Sequence, residues 1–242
     1  MKLEISDNFI IKDCFNTIGL IVDTIILECD SEGIRLHALD RSHITFVGLE
    51  LKSSLFDEYV CSEPETITVD AGELMKVLKR CKPSDLMKIE SHDEKLTLVF
   101  EGDSSRTFKL FLIDSDYEKA NPPSINPPVT IHLPVGLLED FLNDMELFGD
   151  KIIFTVDEDY LICTGNNELG DSTVKYLHGE QVKEVVQSMF NIAKIKYMMK
   201  AKKLANTVSL GLGDDMPLIL KFNISNGEGE LSFLLAPRLA EE

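Results

Sequence analysis

The sequence predicts an α+β protein built as two similar domains, each with two helices packed on antiparallel sheets. Short runs with strand period recur along all 242 residues, and four segments carry helical period instead. The order of helix, strands, helix and strands then occurs twice. The repeat is also visible in the residues. Asp23-Thr-Ile-Ile-Leu-Glu-Cys-Asp30 matches Asp150-Lys-Ile-Ile-Phe-Thr-Val-Asp157 at one constant offset, each after a helix and before a turn.

Strand-like runs in the first half are Thr24–Asp30, Gly33–Leu39, Ile44–Leu51, Leu86–Ser91, Leu96–Glu101 and Thr107–Leu112. In the second half they are Ile152–Asp157, Tyr160–Thr164, Ser172–Leu177, Thr207–Leu212, Leu218–Phe222 and Glu230–Leu235. Turn residues such as Asp30-Ser31-Glu32-Gly33, Asp157-Glu158-Asp159 and Asn226-Gly227 punctuate them, as hairpins require. The helices are marked by Ile11, Cys14, Phe15 and Ile18; by Leu74, Val77, Leu78 and Cys81; by Leu138, Phe141, Leu142 and Met145; and by Ile192, Ile195 and Met199. Between the halves lie Asp116, Glu118, Lys119 and the pairs Pro122-Pro123 and Pro127-Pro128. Adjacent prolines do not join a sheet interior, so this stretch reads as an extended surface connector. The expected division is a first domain over 1–112, a connector over 113–128 and a second domain over 129–242.

Composition excludes several classes. The start, Met1-Lys2-Leu3-Glu4-Ile5, has no secretory pattern, and the longest apolar stretch, Ile18 to Leu27, is interrupted by Asp23 and too short to span a bilayer. A cytoplasmic protein is expected, or a nuclear one in a eukaryote, with no membrane partner. Cys14, Cys29, Cys61, Cys81 and Cys163 are odd in number and never in a C-x-x-C pair, which argues against both disulfides and zinc.

Net charge is −18, from 42 acids and 24 bases, so the bulk of the surface repels nucleic acid. The distribution says something different. Met189 to Lys203 carries Lys194, Lys196, Lys200, Lys202 and Lys203 with no acid, and Lys196, Lys200 and Lys203 follow i, i+4, i+7. The corresponding helix of the first half carries Lys76, Lys79 and Arg80, with Lys82 just beyond. One such cluster reads as a solvated face; the same pattern in both repeats points to a shared basic surface for phosphates. Without interleaved aromatics or a base-reading motif, the contact expected is independent of sequence.

Catalytic constellations fail on inspection. Gly211-Leu-Gly213-Asp-Asp lacks the third glycine of a dinucleotide loop and reads as a hairpin turn. Asp157, Asp159 and Glu168 resemble a calcium loop only until Ile162 occupies the position that needs glycine. His37, His43, His92, His132 and His178 have no metal spacing. Neither an active site nor a cofactor is expected, and no enzyme.

Taken in order, Gly33-Ile-Arg-Leu-His-Ala-Leu-Asp-Arg-Ser-His-Ile44, Phe56-Asp-Glu-Tyr59, Glu168-Leu-Gly170, Asp214-Asp-Met-Pro-Leu218 and Leu234-Leu-Ala-Pro-Arg238 resemble the sliding clamp family called proliferating cell nuclear antigen, particularly its archaeal members. The resemblance covers the whole chain. It implies the DNA clamp fold, a homotrimeric ring whose helices line the hole, and a role as processivity factor in DNA replication and repair. Lys12, Lys76, Lys79, Arg80, Lys194, Lys196, Lys200 and Lys203 would then face duplex DNA. Three copies at −18 total −54, so the charge must be partitioned for a duplex to pass.

The resemblance further implies that the ring closes by pairing edge strands, Thr107, Phe108, Lys109, Leu110 and Phe111 on one protomer with Ser172, Thr173, Val174, Lys175 and Tyr176 on the next. It implies a pocket for docking peptides of DNA polymerase, clamp loader, flap endonuclease and DNA ligase. The pocket residues would be Leu39, His43, Ile44, Phe46, Pro122, Pro123, Met216, Pro217, Leu234, Leu235, Ala236 and Pro237. Three features depart from the family: the third helix carries Glu139, Asp140, Asp144 and Glu146 with no base, the first offers only Lys12 beside Asp13, and Pro122 replaces an aliphatic residue. Alternatives are one subunit of a heterotrimeric clamp, a monomeric processivity factor, and an acidic two-domain enzyme that shares the repeat.

Overall fold

The computed structural model describes residues 1–114 and 120–238, so the connector residues Asp116, Glu118 and Lys119 lie outside the described residues. In chain order the first elements are β1 (Lys2–Ile5), α1 (Phe9–Ile18), β2 (Thr24–Asp30), β3 (Gly33–Leu39), β4 (Thr45–Lys52), β5 (Glu58–Val60), β6 (Glu65–Asp70), α2 (Ala71–Leu78), β7 (Leu86–His92), β8 (Lys95–Glu101) and β9 (Ser105–Phe111). There follow β10 (Val129–Pro134), α3 (Val135–Glu146), β11 (Lys151–Val156), β12 (Tyr160–Asn167), β13 (Gly170–Leu177), β14 (Val186–Asn191), α4 (Ile192–Met198), β15 (Thr207–Leu212), β16 (Leu218–Ile224) and β17 (Gly229–Leu235). Among the described residues no helix is long and apolar enough to cross a membrane.

Two compact units divide the chain. One comprises Met1–His43, Val47–Pro122 and Asn223–Leu231, the other Ile44–Phe46, Pro123–Phe222 and Ser232–Glu242. The repeat seen in the residues is also a repeat of pairing. β2 pairs antiparallel with β6 and β3, and β11 pairs antiparallel with β14 and β12. Likewise β1 pairs with β7 and β7 with β8, as β10 pairs with β15 and β15 with β16.

In the first unit, Ile11 and Phe15 of α1 and Leu74 and Leu78 of α2 meet Leu3, Leu27, Ile34, Ile89 and Leu96 of the strands around one small void. Gly19 lets the helices approach, because a Cβ there would lie 2.6 Å from the sulfur of Met75. In the second unit Leu138, Phe141, Leu142 and Met145 of α3 and Ile192, Ile195 and Met198 of α4 are buried. Each fully buried side chain of this size contributes about 1.5–3 kcal/mol relative to exposure.

The second helix of each repeat is capped in the same way. Asp70 accepts the Glu73 N–H at 2.8 Å, and Asn191 accepts the Lys194 N–H at 3.1 Å; such caps contribute about 1 kcal/mol each. The cap at Asn191 corrects the expected extent of the basic helix. Met189–Asn191 closes strand β14, α4 starts at Ile192, and Met199–Lys203 is a 3-10 turn. Lys200 and Lys203, three apart, therefore share one side of a tighter helix, and Lys196 belongs to the α-helical part.

Candidate DNA, subunit and partner surfaces

The cations assigned to DNA sit on α1, α2, α4 and the 3-10 turn, except that α2 ends at Leu78 and so leaves Lys79 and Arg80 in the turn after it, and they differ in what holds them. Lys12 donates to the Cys81 carbonyl at 2.6 Å, which fastens α1 to the turn after α2. Lys76 pairs with Glu73 on its own helix at 2.6 Å. Lys196 reaches α3, where it meets Glu146 at 2.5 Å and the Asn143 side-chain oxygen at 3.0 Å. Lys202, which the sequence reading left out of the DNA-facing set, grips both carboxylate oxygens of Glu139 at 2.7 Å. Two of the four acids of α3, Glu139 and Glu146, thus take lysines from α4 and the 3-10 turn that follows it. Lys79, Arg80, Lys200 and Lys203 form no ion pair with any described residue.

β9 and β13 are each the last strand of a sheet. β9 ends the order β5-β1-β7-β8-β9, and β13 ends the order β13-β12-β11-β14. Their side chains alternate between half-buried and exposed, with Phe108, Leu110, Val174 and Tyr176 on the half-buried faces and Thr107, Lys109, Phe111, Thr173 and Lys175 exposed. Ser172 is half-buried. Phe111 is 75% exposed and Leu177 64%, which is unusual at the ends of sheet strands that face only water. Two further edges meet backbone from outside their sheets: the Ile113 N–H donates to Thr68 of β6 at 2.9 Å, and the Arg238 N–H to Met189 of β14 at 2.7 Å.

The residues assigned to the docking pocket fall into both units. The first unit holds Leu39, His43 and Pro122. There a groove of about 430 Å³ is lined by Val22, Asp23, Thr24, Ile26, His37, Ala38, Leu39, Asp40, Arg41, His43 and Ala120. Its rim is the turn Asp40-Arg41-Ser42-His43, closed by the His43 N–H on the Asp40 carbonyl at 2.9 Å with His43 at φ 57°. Arg41 is ion-paired to Asp23 at 2.6 Å. The sequence reading missed Asp23 and Arg41 as wall residues, since nothing in their spacing brings a turn onto the start of β2.

The second unit holds Ile44, Phe46, Pro123, Met216, Pro217, Leu234, Leu235, Ala236 and Pro237. The Ala236 N–H donates to the Ile44 carbonyl at 2.9 Å, so the tail and the start of β4 lie side by side. Phe46 and Leu235 are buried, and Ile44 is exposed. Gly211-Leu-Gly213 is, as read, the approach to a hairpin turn, and its glycines are spaces. A Cβ on Gly211 would lie 2.8 Å from Pro127, and one on Gly213 would lie 2.5 Å from the Met216 sulfur and 2.8 Å from Pro128.

None of this geometry is catalytic. Among the described residues no three His, Cys, Asp or Glu side chains gather as metal ligands. Burial pushes the Cys29 and Cys163 thiols up to about 12 and raises Cys14 as well, which leaves them un-ionised and inert as nucleophiles.

Two repeated α+β units, each with a basic helical segment and an edge strand that ends on an exposed apolar residue, are the architecture of a clamp protomer. Residues 1–119 match the family model for the proliferating cell nuclear antigen N-terminal domain, and residues 122–238 match that for its C-terminal domain. The chain is 49% identical, over its full length and 99% of the relative, to the DNA polymerase sliding clamp of Methanobrevibacter smithii. It is 48% identical, with the same coverage, to that of Methanothermobacter thermautotrophicus. Its fold superposes with a TM-score of 0.90 on a chain in the crystal structure of a PCNA2–PCNA3 complex from Sulfolobus tokodaii, at 23% identity, covering 98% of this chain and 99% of that one. The chain belongs to the proliferating cell nuclear antigen family. It is a sliding clamp, a non-enzymatic processivity factor of DNA replication.

Proposed function

We propose that three copies of this chain close into a ring around duplex DNA in the cytoplasm, over the archaeal nucleoid, and slide there while holding replication and repair proteins. The observation that carries the reading is the pair of edge strands β9 and β13, one in each unit, that end on the exposed apolar residues Phe111 and Leu177. An exposed edge strand is a liability that natural proteins cover, and head-to-tail pairing of β9 on β13 would cover both in a closed ring.

Lys79, Arg80, Lys200 and Lys203, with Lys12, Lys76, Lys194 and Lys196 beside them, supply phosphate contacts that read no base and so permit movement. The clamp domains are 1–112 and 129–242, with 113–128 as the connector. DNA polymerase, the clamp loader, flap endonuclease and DNA ligase dock through short peptides. Leu39 and His43 on the groove of the first unit, and Ile44, Phe46, Met216, Pro217 and Leu234–Pro237 of the second, are the docking residues, with Pro122 and Pro123 from the connector.

Light scattering at near-physiological salt tests the ring. A mass near three times 27.2 kDa is expected. A stable monomer would overturn ring closure by identical chains and turn the search to partner subunits.

A further inference from the structure

The basic helical segments hold two kinds of cation. Lys79, Arg80, Lys200 and Lys203 stand free of acid among the described residues. Lys76, Lys196 and Lys202 are each engaged by a carboxylate, from Glu73, Glu146 and Glu139 respectively. The pairing occurs in both repeats, once within a helix and twice from α3 onto α4 and its 3-10 extension. We propose that Glu73, Glu139 and Glu146 act as a brake on DNA affinity, holding these three lysines on carboxylate until a phosphate displaces it.

The inference rests on the DNA-encircling reading and adds to it the residues that set the strength of the grip. A free lysine that meets a phosphate releases the cation condensed there, and this release drives binding and makes it sensitive to salt. A lysine already on a glutamate must leave a carboxylate behind, which recruits a cation in its turn. The exchange is nearly neutral in ions, so such a lysine adds little affinity and little salt dependence.

The pairs are also weak enough to exchange. The Lys196 and Glu146 side chains are 32% and 51% exposed, and those of Lys202 and Glu139 are 42% and 35% exposed, so water screens both pairs. A sliding ring gains from contacts that break readily, and a waiting carboxylate lowers the cost of each release.

The test measures anisotropy of a labelled short DNA duplex titrated with the full chain at several salt concentrations. Four forms are compared: wild type, E139Q/E146Q, K200A/K203A, and E139Q/E146Q with K196A/K202A added. The proposal expects E139Q/E146Q to bind tighter, by about two- to fivefold per pair. Its log–log salt dependence should steepen by about one for each freed lysine that meets a phosphate, and adding K196A/K202A should abolish the gain. Unchanged affinity and slope in E139Q/E146Q, with K200A/K203A binding more weakly than wild type, would overturn the brake and leave the DNA reading standing. Should K200A/K203A bind no more weakly than wild type, the DNA reading itself fails and the brake falls with it.

Discussion

Arg106 of β9 and Asp85, in the turn that follows α2, form an ion pair over a carboxylate only 2% exposed. The same carboxylate accepts the Lys82 N–H at 2.7 Å, and Arg106 also donates to the Arg80 carbonyl at 2.7 Å. One arginine therefore joins the strand assigned to ring closure to the turn that carries a cation assigned to DNA. Asp85→Ala would strand Arg106 and the Lys82 N–H together. The expected loss is about 3 kcal/mol, as for removal of one member of a buried pair. Urea denaturation of the variant and wild type checks it, and a loss below about 1 kcal/mol would show the pair to be solvated.

Gly33 opens β3 at φ +144°, and a Cβ there would lie 2.0 Å from the Leu51 carbonyl oxygen. Both the backbone conformation and the space reject a side chain. Gly33→Ala should cost at least about 2 kcal/mol in the same urea experiment. An unchanged midpoint would mean that the β3 backbone can take another path.

The thiols should separate cleanly by reactivity. Cys14, Cys29, Cys81 and Cys163 are buried and Cys61 is half-buried, its thiol donating to the Glu63 carbonyl at 3.2 Å. Brief iodoacetamide treatment at mildly alkaline pH is expected to add one label, on Cys61, and five after denaturation. Mass spectrometry locates the adduct. Early labelling at Cys29 or Cys163 would contradict the packing described for β2 and β12.

Asp157 accepts the N–H groups of Tyr160 at 2.7 Å and Asp159 at 2.9 Å, and these bonds hold its carboxyl below the usual aspartate value. A lowered folded value stabilises the protein above the unfolded pKa, near ~3.9, and that contribution is lost as pH falls through the folded value. Asp157→Asn keeps an acceptor oxygen but removes the charge. The drop in urea midpoint between neutral pH and about pH 3 should therefore be smaller in the variant than in wild type. An equal drop would place the acid sensitivity elsewhere.

Much of the fold was legible because it rests on local pattern. Thr24–Asp30, Gly33–Leu39 and Thr207–Leu212 are strands with the bounds their residues suggested. Five strands were not read. β1 and β5 have four and three residues, too few to show a period. β10 alternates cleanly but follows Pro127-Pro128 and ends on Pro134, so its prolines masked it. β6 runs into the cap of α2, and β14 into that of α4, where one side-chain hydrogen bond decides the boundary.

The candidate surfaces were legible as clusters of charge and as alternating strands. Their pairing was not. Lys196 and Lys202 find their acids 50 and 63 residues away in sequence, and only the packing of α3 against α4 brings them together.

The residues after β17 run back along β14, where the Arg238 N–H meets Met189 and its guanidinium meets Asp150 at 2.8 Å. In the sheet order, β14 and β13 are opposite edges, three strand spacings or about 14 Å apart. A dye attached at position 238 would thus sit at the edge of that sheet opposite β13. Tethering, surface immobilisation and single-molecule tracking can use this edge without crowding the strand that a neighbouring protomer would take.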